Sequence, residues 1–185
     1  MVKVSLRVNS DEWRAALETY PERIRAALAR GLNRAGEIVA RDASKRLTQP
    51  GPSGFSSIFT GTLLRAMSAG WRVDPKALTL RVGPGLAALS RDVVNYGFFV
   101  EHGRRPGKRP PARVLELWVK RKLGIGDPNE NRRVSIAIAD KIGREGTPAS
   151  PFLEPAVRGN LSAMREAIQG EVDGEIRRLN AEGRG

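Results

Sequence analysis

The chain has 185 residues, with 32 Lys plus Arg against 20 Asp plus Glu, a formal net charge of +12, one histidine and no cysteine. Its length suits one domain, and 40% hydrophobic with 28% charged residues allows a buried core and excludes a disordered polyelectrolyte. Without cysteine there is no disulfide, thiolate metal site or cysteine nucleophile, and His102 alone speaks against a multi-histidine metal site and, although a triad needs only one His, against a conventional Ser-His-Asp hydrolase.

The first segment, VKVSLRV at 2–8, places Val2, Val4, Leu6 and Val8 on one face and predicts a half-buried strand. It has no apolar leader core, and no apolar run nears the ~18 residues of a membrane span, so the expectation is a soluble protein made in a cytoplasm, without membrane partners. Asn9 or Ser10 caps a first helix, and Pro21 opens a second after a break near Thr19–Tyr20. Over 22–47 the apolar positions Ile24, Leu28, Leu32, Ala35, Ile38, Val39 and Ala43 step by threes and fours, the pattern of a long amphipathic helix.

A Pro-, Gly- and Ser-rich loop follows at 48–61, then a short helix at 62–67. The segments 70–73 and 77–82 flank Asp74-Pro75 and predict a β-hairpin. VVNYGFFV at 93–100 predicts a further strand, for about four short strands in the first half of the chain. After the turn-rich GRRPGKRPP, the segment 112–123 predicts a helix with Val114, Leu117, Trp118 and Leu115 inward. GIGDPN breaks it, and 131–143 predicts another helix with Val134, Ile138 and Ile142 on one face. A proline-punctuated extended stretch leads to a last helix over 154–179, whose stripe is Val157, Leu161, Met164, Ile168, Val172, Ile176 and Leu179.

Few residues invite chemistry. Gly83–Ala88 imitates G-x-G-x-x-A, but Pro84 has no N–H to offer a pyrophosphate and no first βαβ unit surrounds it, so no cofactor is expected. Glu101-His102 has the composition of an acid–base pair, yet neighbours on a strand face opposite ways and cannot share a site. Neither an enzyme nor a metal site is expected. The charge is more informative. Residues 104–133 hold ten basic residues against three acids, a net +7 of the total. Arg104, Arg105, Lys108, Arg109, Arg113, Lys120, Arg121 and Lys122 are the candidates to face DNA or an acidic partner. A solvated charged surface explains such clustering equally well.

Three motifs then stand in order: FTGTLLRAM at 59–67, YGFFVEHG at 96–103 and PASPFLEPA at 148–156. Together they resemble the neck or tail-completion proteins that join heads to tails in long-tailed bacteriophages. RPPARVLELWVKRKLG at 109–124 with IGREGTPA at 142–149 resembles an insertion found in a subset of them. The motif positions with expected structural roles are Gly61, Tyr96, Glu101, Gly103, Pro151, Phe152 and Pro155. Gly97 and Arg104 depart from the family's usual Ala and Thr.

The resemblance implies an α+β fold, a small mainly antiparallel sheet packed on a long N-terminal helix and a C-terminal helix. It also implies one domain over 1–185 with a basic helical insertion at 104–147. It further implies a structural virion protein, assembled in the host bacterial cytoplasm as a homo-oligomeric ring of six-fold symmetry. Such a ring sits between head-closure or adaptor proteins and the tail tube or tail terminator, with duplex DNA passing non-specifically through its lumen. Phe55, Ile58 and Phe59 are the candidate subunit-contact residues, with packing onto the protein's own core as the alternative. A tail terminator capping the tube and a basic non-specific DNA-binding module are the alternatives.

Overall fold

A computed structural model describes residues 10–51, 61–84 and 91–183, with side chains in the last stretch described from 96 onward. The expected strand at 2–8 and the candidate contact residues Phe55, Ile58 and Phe59 lie outside these residues. The fold is α+β and mostly helical, with 72% of the chain in helices and one two-stranded antiparallel sheet. The described elements are α1 (Asp11–Thr19), α2 (Pro21–Thr48), α3 (Thr62–Ser68), β1 (Trp71–Asp74), β2 (Thr79–Val82), α4 (Arg91–His102), α5 (Ala112–Leu123), α6 (Pro128–Glu145), α7 (Leu153–Gly159) and α8 (Leu161–Glu182).

Helix α2 is the spine. Ser10 caps α1 through the Trp13 N–H, and Pro21 starts α2 where its missing N–H costs nothing. The buried line of α2 runs through Ile24, Ala27, Gly31, Ala35, Val39, Ala43 and Leu47. Helix α8 lies antiparallel along it, with Val172, Ile176 and Leu179 on Ile24 and Ala27. Gly31 permits the crossing: a Cβ there would stand 2.6 Å from the Ile168 Cα. Farther along, Val39, Ala43 and Leu47 form a second core with Leu63, Met67, Phe152, Ala156 and Val157.

The sheet covers the same helix. Trp71, Val73, Leu80 and Val82 alternate toward α2, with Trp71 opposite Val82 in the register. The Asp74 carboxylate accepts from the Lys76 and Ala77 N–H groups and closes the turn, as the Asp-Pro pair predicts.

Three expectations are corrected. The segment 93–100 is not a strand but part of α4, because short apolar aromatic runs read alike in either state and burial of one helical face decides. The last helix is two: Asn160 ends α7, its side chain bonding Asp42 and the Ala156 carbonyl, so Leu161 is left exposed. In α5 the inward residue is Val119, whereas Val114 and Leu117 face solvent at 62% and 47% exposure.

Across the α2–α8 seam lies an arginine–glutamate ladder. Arg23 bonds Glu175 at 2.7 Å and Glu182 at 2.5 Å, and Arg30 reaches Glu171 at 2.9 Å and Glu175 at 3.2 Å. Arg178 also meets Glu175, whose side chain is only 7% exposed. The hydrogen bond from Arg23 holds both Glu175 and Glu182 below the ordinary glutamate value of 4.5. A depressed folded-state pKa means the unfolded chain takes up the proton first, so this stabilisation is complete above about pH 4.5 and is lost as pH falls through the folded value. Melting temperature followed from about pH 6 to pH 3 should fall less steeply for Glu175→Gln than for the parent chain. Parallel acid limbs would show that the ladder contributes nothing to stability.

Candidate functional site

Glu101, Gly103, Phe152 and Pro155 meet where the segment 104–147 leaves and rejoins the rest of the fold. Helix α4 ends at His102, and α7 begins at Leu153. Glu101, buried at 9% exposure, spans the gap between them. Its carboxylate accepts from the N–H groups of Phe152, Leu153 and Glu154, each at 2.8 Å. These are the cap and first two helical positions of α7, and the next is Pro155, which has no N–H. All the orphan donors of that first turn are thereby settled, and the anion sits at the positive end of a helix.

Gly103 follows with φ +74°, and a Cβ there would meet the Thr147 carbonyl oxygen at 2.7 Å and the Ala149 nitrogen at 2.8 Å. The two strands of the base cross here. Arg104 and Thr147 exchange backbone hydrogen bonds at 2.9 and 2.8 Å, and the Ser150 N–H donates to the Val100 carbonyl. Phe152 then enters the core at 2% exposure. Gly61 has φ +74° and begins α3, Tyr96 is half exposed on α4, and Pro151 is exposed just before α7.

Above this base, α5 and α6 pack on each other as a helical hairpin. Asp127 caps α6 through the Glu130 N–H, with Pro128 in the first turn. Buried Asn131 ties the hairpin tip by donating to the Glu116 and Ile125 carbonyls, and its own oxygen accepts from the Ser135 hydroxyl. Sequence periodicity missed both polar residues because they occupy positions of the α6 inner stripe that apolar counting skips.

The basic candidates divide into two kinds. The Arg104 guanidinium bonds the Lys108 carbonyl, and Arg109 pairs with Asp140 at 2.6 Å. Arg105, Lys108, Arg113 and Lys120 are exposed, and none forms an ion pair among the described residues. Arg121 is exposed and Lys122 half-buried on α5. Arg105, Lys108, Arg113 and Lys120 therefore present their charge outward.

Glu101 and His102 do not form an acid–base pair. The first is consumed in capping, while the second is exposed with its ring 4.6 Å from that of Phe98. Among the described residues no group of three or more His, Asp or Glu side chains is placed to hold a metal ion. No family model matches the chain, and no curated protein or solved structure matches it.

Replacing Glu101 by Ala leaves three donors at the buried helix start without their acceptor and should cost about 2–4 kcal/mol, lowering the melting temperature by roughly 5–15 °C. Glu101→Gln, which keeps one acceptor oxygen, should fall between. Wild-type melting in Glu101→Ala, read by circular dichroism, would contradict the capping role.

Proposed function

We propose that this chain is a structural joint of a long-tailed bacteriophage, a neck or tail-completion subunit that assembles as a ring between head and tail and lets DNA pass. One observation carries the reading: the motif residues Glu101, Gly103, Phe152 and Pro155 converge on a single junction whose work is architectural. That junction holds a hairpin whose Arg105, Lys108, Arg113 and Lys120 are exposed and form no ion pair among the described residues, as a subunit working by shape and charge requires. In the ring, the loop cations Arg105 and Lys108 lie toward the lumen and moderate the repulsion between protein and DNA. The tail terminator is a variant of the same proposal, differing in which neighbours the ring meets.

A second reading, non-specific binding of DNA by the free protein, is favoured by the same unpaired Arg105, Lys108, Arg113 and Lys120. It requires duplex affinity that falls steeply with salt and disappears when Arg104, Arg105, Lys108 and Arg109 are all changed to Ala.

Deleting the gene from its phage should leave DNA-filled heads and complete tails accumulating separately, with joining restored by adding the purified protein to the lysate. Whole infectious particles formed in its absence would overturn the proposal. The four-fold alanine variant separates the two readings: loss of joining with no DNA binding in the parent supports the first, and salt-sensitive DNA binding without any joining role supports the second.

A further inference from the structure

The chain carries a knob and a matching socket on different elements. The knob is the outward face of α5. Val114 and Leu117 stand one turn apart at 62% and 47% exposure, with Arg113, Lys120 and Arg121 around them. Residues 112–123 hold four basic side chains and one acid, a net +3. Exposed apolar residues at this spacing are the anchors of a helix that lies in a groove.

The socket lies between α1 and the end of α8. It is a groove of about 200 Å³ lined by Glu12, Ala16, Thr19, Tyr20, Ile176 and Leu179. Ala16, Ile176 and Leu179 are its apolar lining beside the polar Glu12, Thr19 and Asn180, and Leu17 and Tyr20 are exposed at 37% and 43%. The surrounding segment is the acidic pole of a basic protein: residues 11–22 hold four acids and one arginine, a net −3. Glu12, Glu18 and Glu22 are exposed and form no ion pair among the described residues. Trp13 holds α1 to α8 through a 2.8 Å hydrogen bond to Asp173, so both walls of the groove are fixed.

We infer that α5 of one copy docks into the α1–α8 groove of the next. The apolar pair of the knob meets the apolar lining of the groove, and the +3 helix meets a −3 rim. Knob and socket are different surfaces, so the contact is heterologous. Repetition of such a contact closes a ring when the rotation permits. The inference rests on the ring reading above and names its subunit contact. It leaves Arg105 and Lys108 in the loop, and Arg132 and Arg133 on α6, free to face a polyanion.

The test uses two full-length variants, Glu12→Lys with Glu18→Lys on the socket, and Arg113→Glu with Lys120→Glu on the knob. In sedimentation velocity the parent should assemble, and each variant alone should run as a monomer, with association weakened at least about tenfold. Mixed together they should assemble again, because the intact knob of one variant meets the intact socket of the other and the two charge-reversed faces complement each other as well. A monomeric parent, variants that assemble like the parent, or a mixture that fails to assemble would each overturn the inference.

Circular dichroism melts establish that both variants fold. If either does not, the milder Glu12→Gln with Glu18→Gln and the single Leu117→Ser replace it and must weaken assembly in the same assay. An α5 variant that loses retention of duplex DNA yet assembles normally would assign the knob to nucleic acid and also overturn the inference. Rings that form by this contact but join no heads to tails defeat the functional reading alone, whereas joining that survives with the contact abolished defeats the inference alone.

Discussion

A single buried carboxylate closes the base on which the basic hairpin stands. Glu101 collects the first three N–H groups of α7 across an excursion of more than forty residues, and Pro155 removes the need for a fourth acceptor. Removing that acceptor exposes no new surface to compensate; it strands donors beside Phe152, which sits in the core. Through Phe152, Ala156 and Val157 the same junction reaches α2, so the position of the hairpin and the packing of the spine are set together. The Arg104–Thr147 bridge and Gly103 then fix the angle at which the two crossing strands leave the body.

Much of this was legible in the sequence, and the misses have physical causes. The long helix, the break at Pro21 and the Asp-Pro hairpin were marked by strong local signals: periodic apolar positions, a ring-fixed φ and a turn-forming pair. The α4 error arose because β-branched and aromatic residues in a short run fit strand and helix alike, and only the burial of Gly97 and Glu101 one turn apart distinguishes them. The outward turn of Val114 and Leu117 was missed because apolar spacing was read as burial within one chain. Helix α5 has one fully buried residue, Val119, and its strongest apolar pair faces out. Glu101 was singled out from its motif, but its capping role depends on a residue fifty positions away and has no local signature.

Charge is distributed unevenly for a reason that the fold makes visible. Along α2 and α8, Arg23, Arg30, Arg34 and Arg178 are held by Glu171, Glu175 and Glu182, which join the two longest described helices. On the hairpin Arg105, Lys108, Arg113 and Lys120 form no ion pair among the described residues, and α1 carries the exposed acids Asp11, Glu12 and Glu18. These exposed charges, together with motif residues committed to architecture, fit the ring subunit proposed above.

The claim at the centre of this account is that Glu101 locks the junction beneath the hairpin. Site-resolved amide hydrogen exchange at Phe152, Leu153 and Glu154 tests it most directly. These helix-start amides, which ordinarily exchange early, should be protected to the level of the Val39 and Ala43 core and lose that protection in Glu101→Ala. Rapid exchange in the unaltered protein, or protection indifferent to the substitution, would contradict it.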